Sequence, residues 1–290
     1  MGILNVTPDS FSDGGQALAP SQAERHAEAL LAAGADILDL GAESTRPQAS
    51  PITAATELAR LRPVLANLRR RFPQTPLSVD TYKAEVARVA LEEGADIIND
   101  VSGGRHEATG EHSPIGAVCA QADCPLILTH RRAEPIYEDF WPDLLHDLKG
   151  SIRLARLAGM RPEQLWTDPG IGFGKTPAQN LALIRDLARV AALGFPVLLG
   201  ASRKSTIGLV LNEPDPLRRE SGHHVALAWG IAQGCAMIRA HDISAIRAAV
   251  QMADALRNGL QWRAPNPVKG EPAIGLEPMT CRLQGGCSTN

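Results

Sequence analysis

The chain has 290 residues, 44% of them hydrophobic, with 29 Lys and Arg against 32 Asp and Glu. That length holds one large α/β domain or two small ones, and the near balance of charge gives no bulk basic field for a nucleic-acid partner. No apolar run approaches the roughly 18 residues that span a membrane, no basic-then-apolar leader precedes the first strand, and the five cysteines (Cys119, Cys124, Cys235, Cys281, Cys287) show neither CxxC nor zinc-ligand spacing, so the expectation is a cytoplasmic protein with reduced thiols.

Residues 2–5 open the chain as a short apolar strand, and 36–40, 77–80, 96–99, 126–129, 165–168, 197–200 and 236–240 follow. Each is rich in Ile, Leu or Val without strict alternation, which is the pattern of strands covered on both faces. Helical period fills the intervals. Residues 22–33 follow Ser21 as N-cap, with Glu24 as the acid of a capping box. Further helices are expected at 53–71, 82–93, 142–158, 177–193, 216–233 and 243–258, and the weakest helical pattern falls in the fourth crossover, 105–123. Gly34, Gly94 and Gly234 stand just ahead of strands, as glycines that close helices do. Eight strands alternating with helices point to an α/β fold, a single (β/α)8 TIM barrel over residues 1–262, with a doubly wound parallel sheet as the alternative. Pro265, Pro267, Pro272 and Pro278 break any regular pattern near the end, so residues 263–290 are read as a flexible, disordered tail.

Polar residues gather wherever a predicted strand ends: Asn5 to Gly15, Asp39 to Pro47, Asp80-Thr81, Asn99-Asp100, His130-Arg131, Asp168 to Lys175, Ser202 to Ser205 and Arg239 to Asp242. Barrel active sites are assembled at that rim. The stretch DPGIGFGK at 168–175 is the most telling. A carboxylate at a strand end precedes a glycine-rich turn with one aromatic and one cation, and such a turn lets backbone N–H groups approach a flat or anionic ligand. It is not a P-loop, because Pro169 occupies the first glycine position, nor a dinucleotide fingerprint, because Lys175 stands where the third glycine is needed. His106, His112, His146, His223 and His224 lack metal-ligand spacing, and Arg69-Arg70-Arg71 reads as a solvated helix end where cations suit the dipole.

The motifs GILNVTPDSFSDGG at 2–15, ESTRP at 43–47, SVDT at 78–81, INDVSGG at 98–104, DPGIGFGKT at 168–176 and SRKS at 202–205 resemble, in order and spacing, those of the dihydropteroate synthase family. The resemblance covers residues 1–257. It implies a transferase on a barrel scaffold that condenses 6-hydroxymethyl-7,8-dihydropterin pyrophosphate with p-aminobenzoate, releases pyrophosphate and uses Mg²⁺. By the same resemblance Asp168 accepts two parallel N–H bonds from the pterin edge, with Asn99 and Asp80 beside it and Lys204 donating to the ring carbonyl or N5. Arg239 and His241, with Thr45 and Arg46 of a mobile second loop, hold the pyrophosphate, and Asn5 contacts its Mg²⁺. Phe11, Thr45, Pro47, Phe173 and Ser205 form the p-aminobenzoate pocket.

Chemically, an aromatic amine is neutral near pH 7 and needs no strong base. Loss of pyrophosphate is the demanding step, and the resemblance implies a dissociative displacement at the pterin methylene. Lys204, Arg239, His241 and Asp13 of the first loop are the catalytic candidates. Each residue has a bland counterpart reading: a helix N-cap for Asp80, a turn residue for Asn99, an Asx turn for Asp168, a salt bridge for Arg239, a satisfied strand-end imidazole for His241 and core packing for Phe11. A pterin-binding methyltransferase and a non-catalytic pterin-binding protein are the rival functions.

The chain also departs from the family's pattern. The family usually has more chain ahead of the first strand, so an N-terminal hairpin is expected to be missing or trimmed here. His130-Arg131-Arg132-Ala133-Glu134 adds positive charge after the fifth strand, and Ala42 and Gln48 replace common glycines in the second loop. Sulfonamides mimic p-aminobenzoate, so these last changes raise an expectation of sulfonamide resistance. The family's habit of pairing through outer helices implies a homodimer.

Overall fold

The computed structural model describes residues 1–7, 20–44 and 50–261. Eight parallel strands run β1 (Gly2–Asn5), β2 (Leu38–Gly41), β3 (Leu77–Asp80), β4 (Ile97–Asp100), β5 (Leu126–Thr129), β6 (Leu165–Asp168), β7 (Val197–Leu199) and β8 (Cys235–Ile238), each paired with its sequence neighbours. A bridge between Gly2 and Ala240 closes the ring. There Ile3 N–H donates to the Ala240 carbonyl at 3.0 Å and Ala240 N–H to the Met1 carbonyl at 3.1 Å. An unbroken neighbour order that returns to its start excludes the doubly wound sheet, whose strand order reverses partway.

Ten α-helices are described: α1 (Pro20–Ala32), α2 (Ala54–Arg71), α3 (Ala84–Glu92), α4 (Pro114–Gln121), α5 (Phe140–Leu157), α6 (Pro177–Arg185), α7 (Ala188–Ala191), α8 (Ser205–Leu211), α9 (Glu220–Ala232) and α10 (Ile243–Asn258). Their ends follow local chemistry. Thr53 caps α2 by accepting from Thr56 N–H at 3.2 Å, Thr176 and Gln179 form a capping box on α6, and Asp242 caps α10 by accepting from Ala245 N–H at 3.0 Å. Gly34, Gly94 and Gly234 have φ of +96°, +102° and +101°, so they end their helices in the left-handed region that disfavours other residues.

Several boundaries differ from the sequence reading. Ser21 is not an N-cap, because α1 starts one residue earlier, at Pro20, whose fixed φ suits a first turn. The expected helix 177–193 divides between Arg185 and Ala188, and 216–233 divides into a 3-10 turn at Pro216–Arg218 and α9. The helical segment of the fourth crossover is confined to α4, with Ser113 as cap and Pro114 at its first position. Arg69 is not a solvated helix end either. It donates to the Gly94 carbonyl from Nε and Nη2 at 2.9 and 2.6 Å and pairs with Asp96, tying α2 to the turn that enters β4.

The strands alternate. Leu4, Leu38, Leu40, Leu77, Val79, Ile98, Leu126, Leu128, Leu165 and Val197 belong to the main core between sheet and helices. The opposite parity points into the barrel: Met1, Ile127 and Leu198 pack there with Ile37, Ile97, Trp166 and Met237. Two residues beyond Ile37, Ile97, Trp166 and Met237 the inward positions become polar, as Asp39, Asn99, Asp168 and Arg239, and Asp80 ends β3 at the same level as Asn99. An apolar lower layer thus supports a polar upper one at the strand carboxyl ends. The proposed tail, 263–290, lies outside the described residues.

Candidate active site

Register sets the rim. Asn5 pairs with Gly41, Gly41 with Asp80 and Asp80 with Asn99 on successive strands, and Thr129 pairs with Asp168 across β5 and β6. The polar ends of β1 to β4 therefore stand at one level. Arg239, one residue past β8, reaches across the lumen. Its Nε donates to Asp39 Oδ2 at 2.6 Å and its Nη2 to Asp80 Oδ2 at 2.8 Å. Asn99 Nδ2 donates to the same Asp39 oxygen at 3.3 Å. One guanidinium faces two buried carboxylates. Burial pushes Asp80 up to about 7, against the pull of Arg239 and with a further push from Asp39. Burial opposes the charge on Arg239, yet Asp39 and Asp80 hold its pKa above the ordinary range, so it stays a cation.

Among the described residues, the buried oxygens Asp39 Oδ1, Asp80 Oδ1 and Asn99 Oδ1 accept no hydrogen bond from the protein. Three unmatched acceptors this close together are costly in a folded interior unless a ligand supplies donors. Asp168 adds a fourth carboxylate. Its Oδ1 accepts from Gly170 N–H at 2.7 Å, and its Oδ2 lies 3.8 Å from where a Cβ on Gly200 would stand. The Asx turn is thus real but uses one oxygen only. Burial raises Asp168, against Gly170 N–H, Lys204 and Lys175, and burial lowers Lys204, against Asp168. Lys204 Nζ sits 4.6 Å from the centre of the half-buried Phe173 ring. Arg203, beside it, holds a φ of +60°, a strained conformation for a side chain of that size.

Other predicted residues surround this centre. Asn5 Oδ1 is 3.4 Å from where a Gly41 Cβ would stand, so glycine at 41 leaves room beside the amide oxygen and Asp80. His241 Nδ1 meets Ser202 Oγ at 3.0 Å, which joins the ends of β7 and β8. Ser205 is exposed at the first residue of α8. Phe11, Asp13, Thr45, Arg46 and Pro47 lie outside the described residues, as does Gln48. The N-cap reading of Asp80 fails, since Lys83 occupies the cap of α3 and Asp80 turns inward to Arg239. Ala42 is buried in the main core. The expected extra charge after β5 is largely absorbed. Arg132 pairs with Asp147 at 2.8 Å and Asp143 at 3.3 Å, while Arg131 lies 5.8 Å over the Phe173 ring.

Sequence reasoning placed Asp39 in a strand-end cluster but gave it no role, although its parity with Ile37, just ahead of β2, places it in the lumen. It also missed Lys83, which is buried and paired with Glu43 and with Glu57 at 2.6 Å. Glu43 Oε1 further accepts from Tyr82 OH at 2.7 Å and from Ile52 N–H at 3.1 Å, so one carboxylate joins both ends of the second loop.

The model of a family described as pterin binding enzyme matches residues 1–241. A dihydropteroate synthase of Bacillus subtilis (strain 168) is 43% identical over 258 residues, 89% of this chain and 88% of the relative. This chain belongs to the dihydropteroate synthase family of pterin-binding enzymes. It is a transferase. A solved dihydropteroate synthase of Clostridium difficile, determined in the presence of pteroic acid, is 40% identical with a TM-score of 0.83, covering 88% of this chain and 95% of that one. The Xanthomonas albilineans dihydropteroate synthase, solved with 4-aminobenzoic acid, is 38% identical with a TM-score of 0.82, covering 88% and 92%. Membership of this family favours the synthase over the methyltransferase and the non-catalytic binder.

Proposed function

We propose that this dihydropteroate synthase joins 6-hydroxymethyl-7,8-dihydropterin pyrophosphate to p-aminobenzoate at the mouth of its barrel. The carrying observation is the set of unmatched acceptors on Asp39, Asp80 and Asn99 beside Asp168. A pterin edge presents several N–H donors in one plane, which is the complement of such a set. Lys204 donates to the ring carbonyl or N5. Arg239 uses Nε and Nη2 on the two aspartates and turns Nη1 to the pyrophosphate, with His241 alongside. Phe173 stacks on the p-aminobenzoate ring, and Ser205 at the start of α8 receives the carboxylate. Thr45, Arg46, Pro47, Phe11 and Asp13 complete both sites by resemblance of their motifs alone.

Asn5 fits Mg²⁺, since its amide offers one hard oxygen that no side chain on Gly41 crowds, and Mg²⁺ takes few protein ligands when phosphates and water supply the rest. When bound, the ion neutralises charge on the leaving pyrophosphate. The protein's own residues do the remainder. Arg239 and His241 stabilise charge on the departing oxygen as the methylene C–O bond breaks. The surrounding carboxylates favour positive charge on the pterin methylene. The p-aminobenzoate nitrogen then bonds to that carbon with its lone pair and releases a proton, so the displacement is dissociative.

Turnover of the two substrates to 7,8-dihydropteroate and pyrophosphate, with no product when either is omitted, tests the reading. Binding of pterin without turnover would return the chain to a binding role. A homodimer belongs to the same proposal. The side chains of Leu209 and Val210 on α8, Val225 and Trp229 on α9, and Met252 and Leu256 on α10 are exposed on helices outside the barrel.

A further inference from the structure

Lys175 ends the glycine turn after β6 and has no substrate contact in the scheme above. Its Nζ is surrounded by acceptors from two loops. It donates to the Gly170 carbonyl at 2.9 Å and the Phe173 carbonyl at 3.0 Å, and meets His130 Nδ1 at 2.9 Å in the loop after β5. The other imidazole nitrogen faces Asp147 Oδ2 at 3.2 Å. An ionised carboxylate only accepts, so Nε2 carries the hydrogen and Nδ1 is left as an acceptor. The His130 carbonyl lies farther off, at 3.4 Å, so the three nearer acceptors match the three hydrogens of an ammonium group. Burial, reinforced by Lys175, holds His130 down to about 4, which keeps the ring neutral.

The turn needs such a clasp. Gly170, Gly172 and Gly174 have φ of +72°, +82° and +61°, so the segment is built from residues with the most backbone freedom to lose. Asp168 holds the Gly170 N–H while Lys175 holds the Gly170 carbonyl. Lys175 also holds the carbonyl of Phe173, whose ring faces Lys204. The two loops touch: a Cβ on Gly170 would stand 1.9 Å from the His130 carbonyl oxygen, and one on Gly174 would stand 2.2 Å from that of Arg132.

We propose that Lys175 is a positioning residue for p-aminobenzoate, clasping the Phe173 turn to the loop after β5 so that the aromatic wall is shaped before substrate arrives. It acts without touching substrate, and the inference rests on the dihydropteroate synthase reading of this mouth. The charged groups facing Nζ are Asp168 from β6, Lys204 ahead of α8, Arg132 beside His130, and Asp147 from α5. Burial holds Lys175 down to about 7. Below that pH the clasp has three hydrogens. Above it the amine brings only two hydrogens and a lone pair to the same acceptors, and the clasp weakens.

The test is steady-state kinetics on the full chain for wild type, Lys175→Met, and Lys175→Cys before and after S-aminoethylation with 2-bromoethylamine, with wild type treated identically. The expected result for Lys175→Met is a KM for p-aminobenzoate raised about tenfold, with kcat within about threefold, because only preorganisation of the wall is lost. Aminoethylated Lys175→Cys recovers most of the wild-type KM, and the wild-type KM rises with pH above about 7 more steeply than that of Lys175→Met. A KM within about twofold of wild type, a hundredfold fall in kcat at unchanged KM, or no recovery on aminoethylation each overturns the proposal. If neither variant folds, amide exchange of residues 170–175 in wild type decides, corrected for intrinsic rates: protection lost between pH 6 and 8.5 supports the clasp, and equal protection overturns it. Absence of wild-type turnover would instead remove the enzymatic reading, and is seen before any variant is compared.

Discussion

Asp168 shows how one side chain holds two roles that a substitution can separate. Its Oδ1 makes the Asx turn with Gly170 N–H, and an asparagine amide oxygen makes the same bond. Asp168→Asn therefore keeps the turn and places an NH₂ donor where Oδ2 would accept from the pterin. Pterin affinity followed by fluorescence should fall by about ten- to hundredfold, the cost of roughly 1–3 kcal/mol for a mismatched buried polar contact. Unchanged affinity would remove the residue from the pterin site. Asp80 gives a pH signature. Its pKa is raised by burial to about 7, so its native-state contribution is fully present below the unfolded carboxylate range and is lost as pH rises through 7. Asp80→Asn has no charge to bury. Measured by denaturant unfolding of ligand-free protein, the stability of the variant relative to wild type should improve by about 2 kcal/mol between pH 5 and pH 8. A difference that is flat with pH, or of the opposite sign, contradicts the assignment.

Among the elements, the turn after β6 is the one most constrained by its surroundings. The Cβ of Gly170→Ala would meet the His130 carbonyl at 1.9 Å, and that oxygen is backbone and has little room to give. The strain of positive φ adds to the clash, so a loss of at least ~3 kcal/mol is expected in thermal or denaturant unfolding. Gly194 is the control. It has a φ of +85° but nothing within 4 Å of an added Cβ, so Gly194→Ala should cost only about 1–2 kcal/mol for the conformation itself. Equal costs at the two sites would mean that the β5 and β6 loops do not touch. The strand spans were legible at this scale because apolar runs bounded by Gly, Pro and acid residues leave little choice of register. Helix ends were less so. The break between Arg185 and Ala188 has no Gly or Pro to announce it, and the helical period continues across it.

For the whole molecule, the apolar side chains left on α8, α9 and α10 are the physical argument for a partner copy. Val225 and Trp229 of α9 are 69% and 50% exposed, a poor arrangement for an isolated chain that has an ample core elsewhere. Sedimentation velocity at micromolar concentration should show a dimer, and Val225→Arg should shift it toward monomer without loss of the folded barrel. A wild-type monomer across that range would remove the homodimer. No described helix is long and apolar enough to cross a membrane.

By itself the sequence determined the elements and the rim. Short unalternating apolar runs marked the strands, period-3.6 patterning marked the helices, and the motifs at the strand ends named the chemistry by resemblance, because these signals are local and survive in a string of letters. Only the tertiary structure decided which of those polar groups face one another. Arg239 meets Asp39 and Asp80 from 200 and 159 residues away, and Lys175 meets His130 from 45. Closure of the sheet brings β8 beside β1, and the parity of each strand then selects what enters the lumen. Those distances and charges depend on a ring of eight registers taken together, which no single segment contains.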